Sequence, residues 1–353
     1  MARRTGAAHS IPPSLTFCMP VKTEFNVPTV TLLLTLLLAS CSDAPDALTS
    51  GAISAESTPA PAGLLEPGAE WQPLGEGLVY TDGFAAEANG DVYFADVYLH
   101  RIYKVNGGGE VSLFDESTAH TMGLVIGPDG LLYGCRNHDA QIVRYTTEGK
   151  VEVLLQGELS PVPDEKDNPG EFCNDMAINA EGGIWFTDRV NKRVIYLATD
   201  GSSRTVASGF RPNGIVLSSD QKMLVVTDSN EPVLHAFTVG VKGELAEIEN
   251  FFEPIRLPKR EKNGEVLGDG KPGTDGMAVD SEGRYYVATL AGIQIFGSDG
   301  RYLGSMSAAP NLYFNSNIDF GGPDYQWLYA SGRNGVGRIK MLTHGAAWPG
   351  TAP

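Results

Sequence analysis

The sequence predicts an all-β fold: a six-bladed β-propeller with its last blade closed by an N-terminal strand. Three observations carry this reading. Six segments align without gaps, their starts recur at a spacing near 40 residues, and each holds two short apolar runs around a polar turn. A unit of that length with several strands marks a propeller, because one such unit cannot bury its own apolar faces and must stack on its neighbours.

In chain order the segments are DGFAAEANGDVYFAD from Asp82, MGLVIGPDGLLYGCR from Met122 and NDMAINAEGGIWFTD from Asn174. NGIVLSSDQKMLVVT from Asn213, DGMAVDSEGRYYVAT from Asp275 and NIDFGGPDYQWLYAS from Asn317 complete the set. The turn falls at the same offset in each, most clearly at Gly90, Gly130, Gly182 and Gly283. Second strands follow that are rich in Val, Ile, Tyr, Phe or Trp, as half-buried sheet requires. Third and fourth strands are predicted at 101–105 and 111–114, at 141–145 and 151–155, and at 193–197 and 203–207. The sixth repeat has a third strand at 336–341 and then the chain runs out. The stretch 71–80 can supply the missing strand, so that no closing edge stays unpaired. The propeller is therefore expected over 71–345, with 346–353 as a tail and almost no helix.

The region before residue 71 reads as targeting sequence. The apolar run around LLLTLLL is too short to span a bilayer and has the length of a signal-peptide core. It ends in Leu38-Ala39-Ser40-Cys41, which resembles the lipobox of bacterial lipoproteins. That resemblance implies a signal peptide over 1–40, with Met1 or Met19 as the start, and lipidation of Cys41. The protein is then expected to be exported and anchored by lipid to a bacterial membrane, on its periplasmic or cell-surface side. Residues 41–70 are rich in Ala, Pro, Ser, Glu and Gly and read as a flexible tether. Cys135 and Cys173 remain in the exported part. An oxidising compartment would allow them to pair, which sequence leaves open.

With 26 basic and 43 acidic residues the formal charge is −17, which excludes nucleic acid as a partner: phosphate binding needs clustered Lys and Arg. The one basic run, Lys259–Lys262, reads as a solvated loop.

In a propeller the first strand of each blade lines the central channel, so the residues that open the six repeats share one rim. They are Asp82, Met122, Asn174, Asn213, Asp275 and Asn317. An Asn or Asp opening a strand is ordinary turn chemistry, but five of six converging on one ring is not. Carboxylates and amide oxygens aimed at one point repel unless a cation sits between them. Oxygen donors without His or Cys select a hard divalent ion, Ca²⁺ before Mg²⁺ because Ca²⁺ tolerates irregular geometry and amide oxygens. Two long spacings, at Gln156–Cys173 and Glu253–Thr274, add loops on the same rim; the second reads as polar and mobile. His120, two residues before Met122, reads first as a solvent-facing or structural histidine and second as a rim residue that transfers protons or touches substrate. His100, His138, His235 and His344 show no shared pattern. Asp96, Asp188 and Asp228 recur at the ends of second strands and read as structural hydrogen-bonding residues. GxSxG, P-loop, HExxH and CxxC motifs are absent.

On the segments FCNDMAINAEGGIWFTD, RPNGIVLSSDQKMLVVTDS, GTDGMAVDSEGRYYVAT and NIDFGGPDYQWLYASG, the chain resembles the family of senescence marker protein, gluconolactonase and luciferin-regenerating enzyme. The resemblance implies a six-bladed propeller with a divalent cation, often Ca²⁺, on the channel axis. It implies Asp82, Asn174, Asn213 and Asp275 as metal ligands and Asp275 as catalytic base or nucleophile. The sequence departs from the family twice. Asp82 stands where Glu is usual, and Phe172 stands where sugar-lactone-acting members can carry Arg. Phe172, Met122 and His120 are the expected substrate contacts; Phe172 puts a sugar lactone in doubt and leaves a more apolar substrate open. The reading is a metal-dependent hydrolase of a small lactone or related ester. The alternatives are a non-catalytic binding propeller with a structural cation and a phosphotriesterase-like enzyme.

Overall fold

The computed structural model describes residues 53–54, 58–162, 170–262, 265–267, 270–312 and 314–346. The expected signal peptide and Cys41 lie outside the described residues. Six four-stranded antiparallel sheets follow one another in chain order. Blade 1 comprises Thr81–Ala86, Val92–Asp96, Arg101–Val105 and Val111–Asp115. Blade 2 comprises Thr121–Ile126, Leu132–Arg136, Gln141–Tyr145 and Val151–Gln156. Blade 3 comprises Met176–Ile178, Ile184–Asp188, Arg193–Leu197 and Ser203–Ser208. Blade 4 comprises Pro212–Leu217, Met223–Asp228, Leu234–Val239 and Leu245–Ile248. Blade 5 comprises Met277–Val279, Tyr285–Thr289, Gly292–Phe296 and Tyr302–Met306. Blade 6 comprises Asn315–Gly321, Trp327–Gly332 and Gly335–Lys340, and its outer strand is the N-terminal Gln72–Leu74, paired Gln72 to Arg338. The predicted propeller and its closure are thus both present. Among the described residues the only helices are two single 3₁₀ turns, at Asn137–Asp139 and Pro323–Tyr325.

Inner strands are buried on both faces, whereas outer strands are half exposed. The core therefore lies between blades. Trp185 of blade 3 packs with Leu224 and Val226 of blade 4, and Phe94 of blade 1 with Tyr329 of blade 6. Each large side chain buried this way contributes roughly 1.5–3 kcal/mol. Second strands end in aspartates that tie the following loop: Asp96 accepts from Leu99 N–H (3.2 Å), Asp188 from Asn191 N–H (3.1 Å) and Asp228 from Asn230 N–H (2.9 Å). This is the structural role expected of them.

Three expectations need correction. The second half of the expected tether lies against blades 5 and 6. Ser305 N–H donates to Thr58 O (2.8 Å), Ala60 N–H to Ser305 O (2.9 Å), and Leu64 is buried in the blade 5–blade 6 core. The reason is local: the backbone of Thr58–Ala60 pairs with the otherwise open edge of Tyr302–Met306 at Ser305, and Leu64, Leu65 and Trp71 pack on the core between blades 5 and 6. The basic run is no loop either. Lys259–Lys262 is the middle strand of a small sheet, between Ile53–Ser54 and Glu265–Leu267. At the other end of the chain, Ala346 N–H donates to Val279 O (2.9 Å), so the expected tail begins docked under blade 5.

Candidate metal centre

The six residues that open the repeats meet around the axis because their neighbours are small. A Cβ at Gly83 would overlap the Met122 carbonyl, one at Gly214 the Asp275 carbonyl, and one at Gly276 the Asn317 side chain. Glycine at these positions lets successive blades touch at the rim. Hydrogen bonds then close the circle. Gly123 N–H donates to Asn174 O (2.8 Å), Ile215 N–H to Asp175 Oδ2 (3.3 Å), Asn213 Nδ2 to Thr274 O (3.4 Å), and Gly276 N–H to Ser316 O (2.9 Å). Ser316 Oγ donates to Thr81 O (2.7 Å), and Asn317 hydrogen-bonds Asp82, joining blade 6 to blade 1. Thr187 Oγ1 and Thr227 Oγ1 reach forward one blade to Asn213 O (2.7 Å) and Asp275 O (3.1 Å).

The electrostatics of this ring are those of crowded carboxylates. Burial pushes Asp82 up to about 6 against the Gly83 and Asn317 hydrogen bonds and the Arg189 charge. Burial and the Asp82 charge raise Asp275 well above the carboxylate range, Arg189 opposing them. Asp175, one residue past Asn174, is pushed up to about 7 by burial and by Asp82 and Asp319. Asp319 reaches about 7 by burial. Asp175 and Asp319 line the channel behind the ring, a cavity of about 90 Å³ walled mainly by Phe84, Leu124, Ile215 and Met277. The donors fit a hard cation on three counts. They are oxygens; two of them are buried carboxylates pushed toward protonation, and the buried Asn213 Oδ1 has no hydrogen-bond partner.

Met122 takes its place in the ring with its sulfur toward amide donors, 2.9 Å from Asn137 Nδ2 and 3.7 Å from Asn174 Nδ2. His120 stands on the rim beside the exposed Tyr98, ring centroids 5.8 Å apart. Phe172 points elsewhere. It is 6% exposed and packs between blades 2 and 3 on Phe186, centroids 5.4 Å apart, where Gly157 leaves room for its ring. It is therefore a packing residue, not a wall of the channel mouth. Its backbone N–H is held by Asn137 Oδ1 (2.7 Å), and the next residue, Cys173, is disulfide-bonded to Cys135 with Cα atoms 5.6 Å apart. Bond and amide together anchor the strand entry that presents Asn174.

Several residues at the centre have no signal in the repeats. Arg189, from the loop after the second strand of blade 3, forms an ion pair with the buried Glu171, through Nε to Oε2 (3.1 Å) and through a second, shorter contact to Oε1. Burial works against the guanidinium, but Glu171 and then Asp275 outweigh it and raise its pKa. A cation thus reaches the site from a position different from the one where the family pattern led us to look for arginine. Tyr80 lies close enough to Asp82 and Asp275 for burial and their charges to raise its phenol well above its ordinary range. With Tyr98 (5.2 Å) and Phe314 (6.1 Å between centroids) it forms an aromatic wall at the mouth. Only the chance of finding Tyr80 two residues ahead of Asp82 could have flagged it.

Fold and centre together define a six-bladed propeller with an oxygen-lined axial site open to one rim. The chain belongs to the SMP-30/Gluconolactonase/LRE-like family, whose model matches residues 74–332. Membership places it among hydrolytic enzymes. The gluconolactonase of Zymomonas mobilis is 24% identical over 315 residues, 80% of this chain and 84% of that protein. The structure of a gluconolactonase from Xanthomonas campestris superposes with a TM-score of 0.64 at 23% identity, covering 82% of this chain and 96% of that one. The calcium-binding protein regucalcin from Agrobacterium tumefaciens superposes with a TM-score of 0.58 at 16% identity, covering 82% and 95%.

Proposed function

We propose that this chain hydrolyses a small lactone or related ester at the channel mouth, with a divalent cation, Ca²⁺ by preference, held by Asp82, Asn174, Asn213 and Asp275. The observation that carries the proposal is the closed ring of oxygen donors with two carboxylates crowded at one rim. When bound, the cation supplies positive charge that polarises the substrate carbonyl. The chain's own residues do the rest. Asp275, half-buried at the mouth, accepts a proton from the attacking water or attacks the carbonyl itself. Tyr80 keeps its proton through neutral pH and is placed to donate a hydrogen bond to a substrate oxygen. Arg189, oriented by Glu171, offers guanidinium donors to a second oxygen of the substrate. Tyr80, Tyr98 and Phe314 present apolar faces to its carbon skeleton. The name of the Zymomonas relative supports a sugar lactone, and Arg189 supplies the polar contact such a substrate needs.

The assay is a panel of sugar lactones, apolar lactones, aryl esters and phosphotriesters, run with Ca²⁺ and with chelator. Calcium-dependent turnover of a lactone supports the proposal. Turnover of phosphotriesters alone, or of none of the panel with cation bound, overturns it.

We also infer that the protein is exported and lipidated at Cys41. The Leu-Ala-Ser-Cys sequence supports this, and so does the Cys135–Cys173 bond, since such bonds persist in oxidising compartments. Cys41→Ala is expected to release the protein from the membrane fraction. An intact N-terminus on membrane-free wild type, found by mass spectrometry, overturns it.

A further inference from the structure

Three histidines that the sequence scatters over 39 residues come together on the rim. His100 lies between the second and third strands of blade 1. His120 lies between blades 1 and 2, and His138 between the second and third strands of blade 2. One ring nitrogen from each lies within 4.8 Å of the others. The rings of His120 and His138 stack at 4.1 Å, and His100 lies 5.6 Å and 5.5 Å from them. All three are half-buried, so solvent reaches them.

The loops that carry them are tied to one another. Thr118 N–H donates to His100 O (3.0 Å) and His138 N–H to Ala119 O (3.0 Å). His100, Ala119 and His120 adopt the left-handed backbone conformation, with φ of 54°, 51° and 60°. For residues with a Cβ this is costly, and it is found where a side chain must be aimed. Nδ1 of His100 and Nδ1 of His120 are buried with no hydrogen-bond partner. Buried imidazole nitrogens are ordinarily satisfied, and two orphans in one cluster call for a ligand.

We propose that His100, His120 and His138 form a second metal site, distinct from the axial ring, which binds a divalent transition ion of the Zn²⁺ class. The donors decide the ion. Three imidazoles suit Zn²⁺, Co²⁺ or Ni²⁺ and disfavour Ca²⁺, which takes oxygen. Imidazole coordinates in its neutral form, and burial together with the neighbouring rings lowers the pKa of His120 and of His138. A tetrahedral ion about 2.0–2.1 Å from each nitrogen needs those nitrogens about 3.3–3.4 Å apart. The trio reaches this by drawing in and rotating the stacked rings. Three protein ligands leave a fourth position for water, as in open zinc sites. Because the ligands come from both sides of the blade 1–blade 2 junction, the ion would staple that junction. Tyr98 neighbours both His120 and Tyr80, with ring centroids 5.8 Å and 5.2 Å away.

The test uses full-length protein saturated with Ca²⁺ and titrated with Co²⁺ and Zn²⁺. The expected result is one equivalent bound beyond the calcium, with the visible absorption bands of nitrogen-coordinated tetrahedral Co²⁺ and their loss on adding Zn²⁺. His120→Gln and His138→Gln are each expected to abolish these bands, and His344→Gln to leave them intact. Melting in chelator shows whether the variants fold. If His120→Gln fails to fold, His138→Gln, at a less buried position, carries the test. Absence of a second equivalent in the calcium-loaded wild type, or bands that survive in a folded His138→Gln protein, overturns the proposal.

Discussion

Asp275 holds two conflicting requirements in one carboxyl group. As a base it must be ionised, yet burial and Asp82 push it toward its protonated form. A cation at the ring resolves the conflict by making the charged form the favoured one. Asp275→Asn keeps an oxygen for the cation but cannot accept a proton. With cation in excess, turnover is expected to fall at least about 100-fold with an unchanged melting temperature. Full activity in that variant would remove Asp275 from the chemistry. Arg189→Lys keeps the charge and loses the forked contact to Glu171, and is expected to raise KM more than it lowers kcat. The six residues that open the repeats were legible in the sequence because the repeat numbers them, each at the same offset from its turn; the choice of four of them as cation ligands came from the family resemblance. Arg189, Glu171 and Tyr80 were not, because they arrive from loops whose lengths differ between blades. Phe172 shows the opposite failure. Its place in the chain is rim-adjacent, but an apolar ring beside a Gly157 with space over it goes into the core.

Among the elements, the segment Cys173–Asn174 is the one most dependent on its surroundings. Its strand begins only at Met176, although Asn174 N–H donates to Thr187 O (2.8 Å); the disulfide and Asn137 hold the residues just before it. The bond spans 38 residues, and on the chain-entropy model its loss costs about 3–4 kcal/mol. Cys173→Ser is expected to lower stability by about that much in urea unfolding and also to weaken Ca²⁺ binding, measured by calorimetry. Unchanged Ca²⁺ affinity would show that Asn174 is positioned without it. Strand positions were well legible at this scale, since paired apolar runs recur in all six repeats and a turn glycine at the same offset in four of them. The small sheet around Lys259–Lys262 was not: its partner strand Ile53–Ser54 lies some 200 residues away, and a charged strand paired at such distance carries no local signal.

For the molecule as a whole, the axial carboxylates set how stability depends on pH. Asp82, Asp175, Asp275 and Asp319 all bind protons more tightly folded than unfolded. Without cation the folded state therefore gains protons relative to the unfolded chain between the ordinary carboxylate range and about pH 7. Stability in chelator is expected to fall as pH rises through that window. The formal charge of −17 adds repulsion in the same direction. Excess Ca²⁺ is expected to raise the melting temperature more at pH 8 than at pH 5.5. An equal rise at both, measured by calorimetry, would separate the carboxylates from the cation. The architecture itself was legible from the repeat period. That residues 58–70 cover blades 5 and 6 was not, because their composition is that of a linker and only a few apolar side chains dock them.

The strand Gln72–Leu74 that completes blade 6 has a consequence in time. Gln72 meets Arg338 across 266 residues of chain, and Asp82 meets Asn317 across nearly as many. At roughly 5–20 residues per second, a ribosome needs on the order of 15–50 s to make what lies between. Throughout that interval the first strand has no partner and the ring of oxygen donors is an open arc. A chain cut short anywhere before blade 6 leaves Asp82 without the neighbour that holds it. Cation binding would thus report that synthesis has been finished.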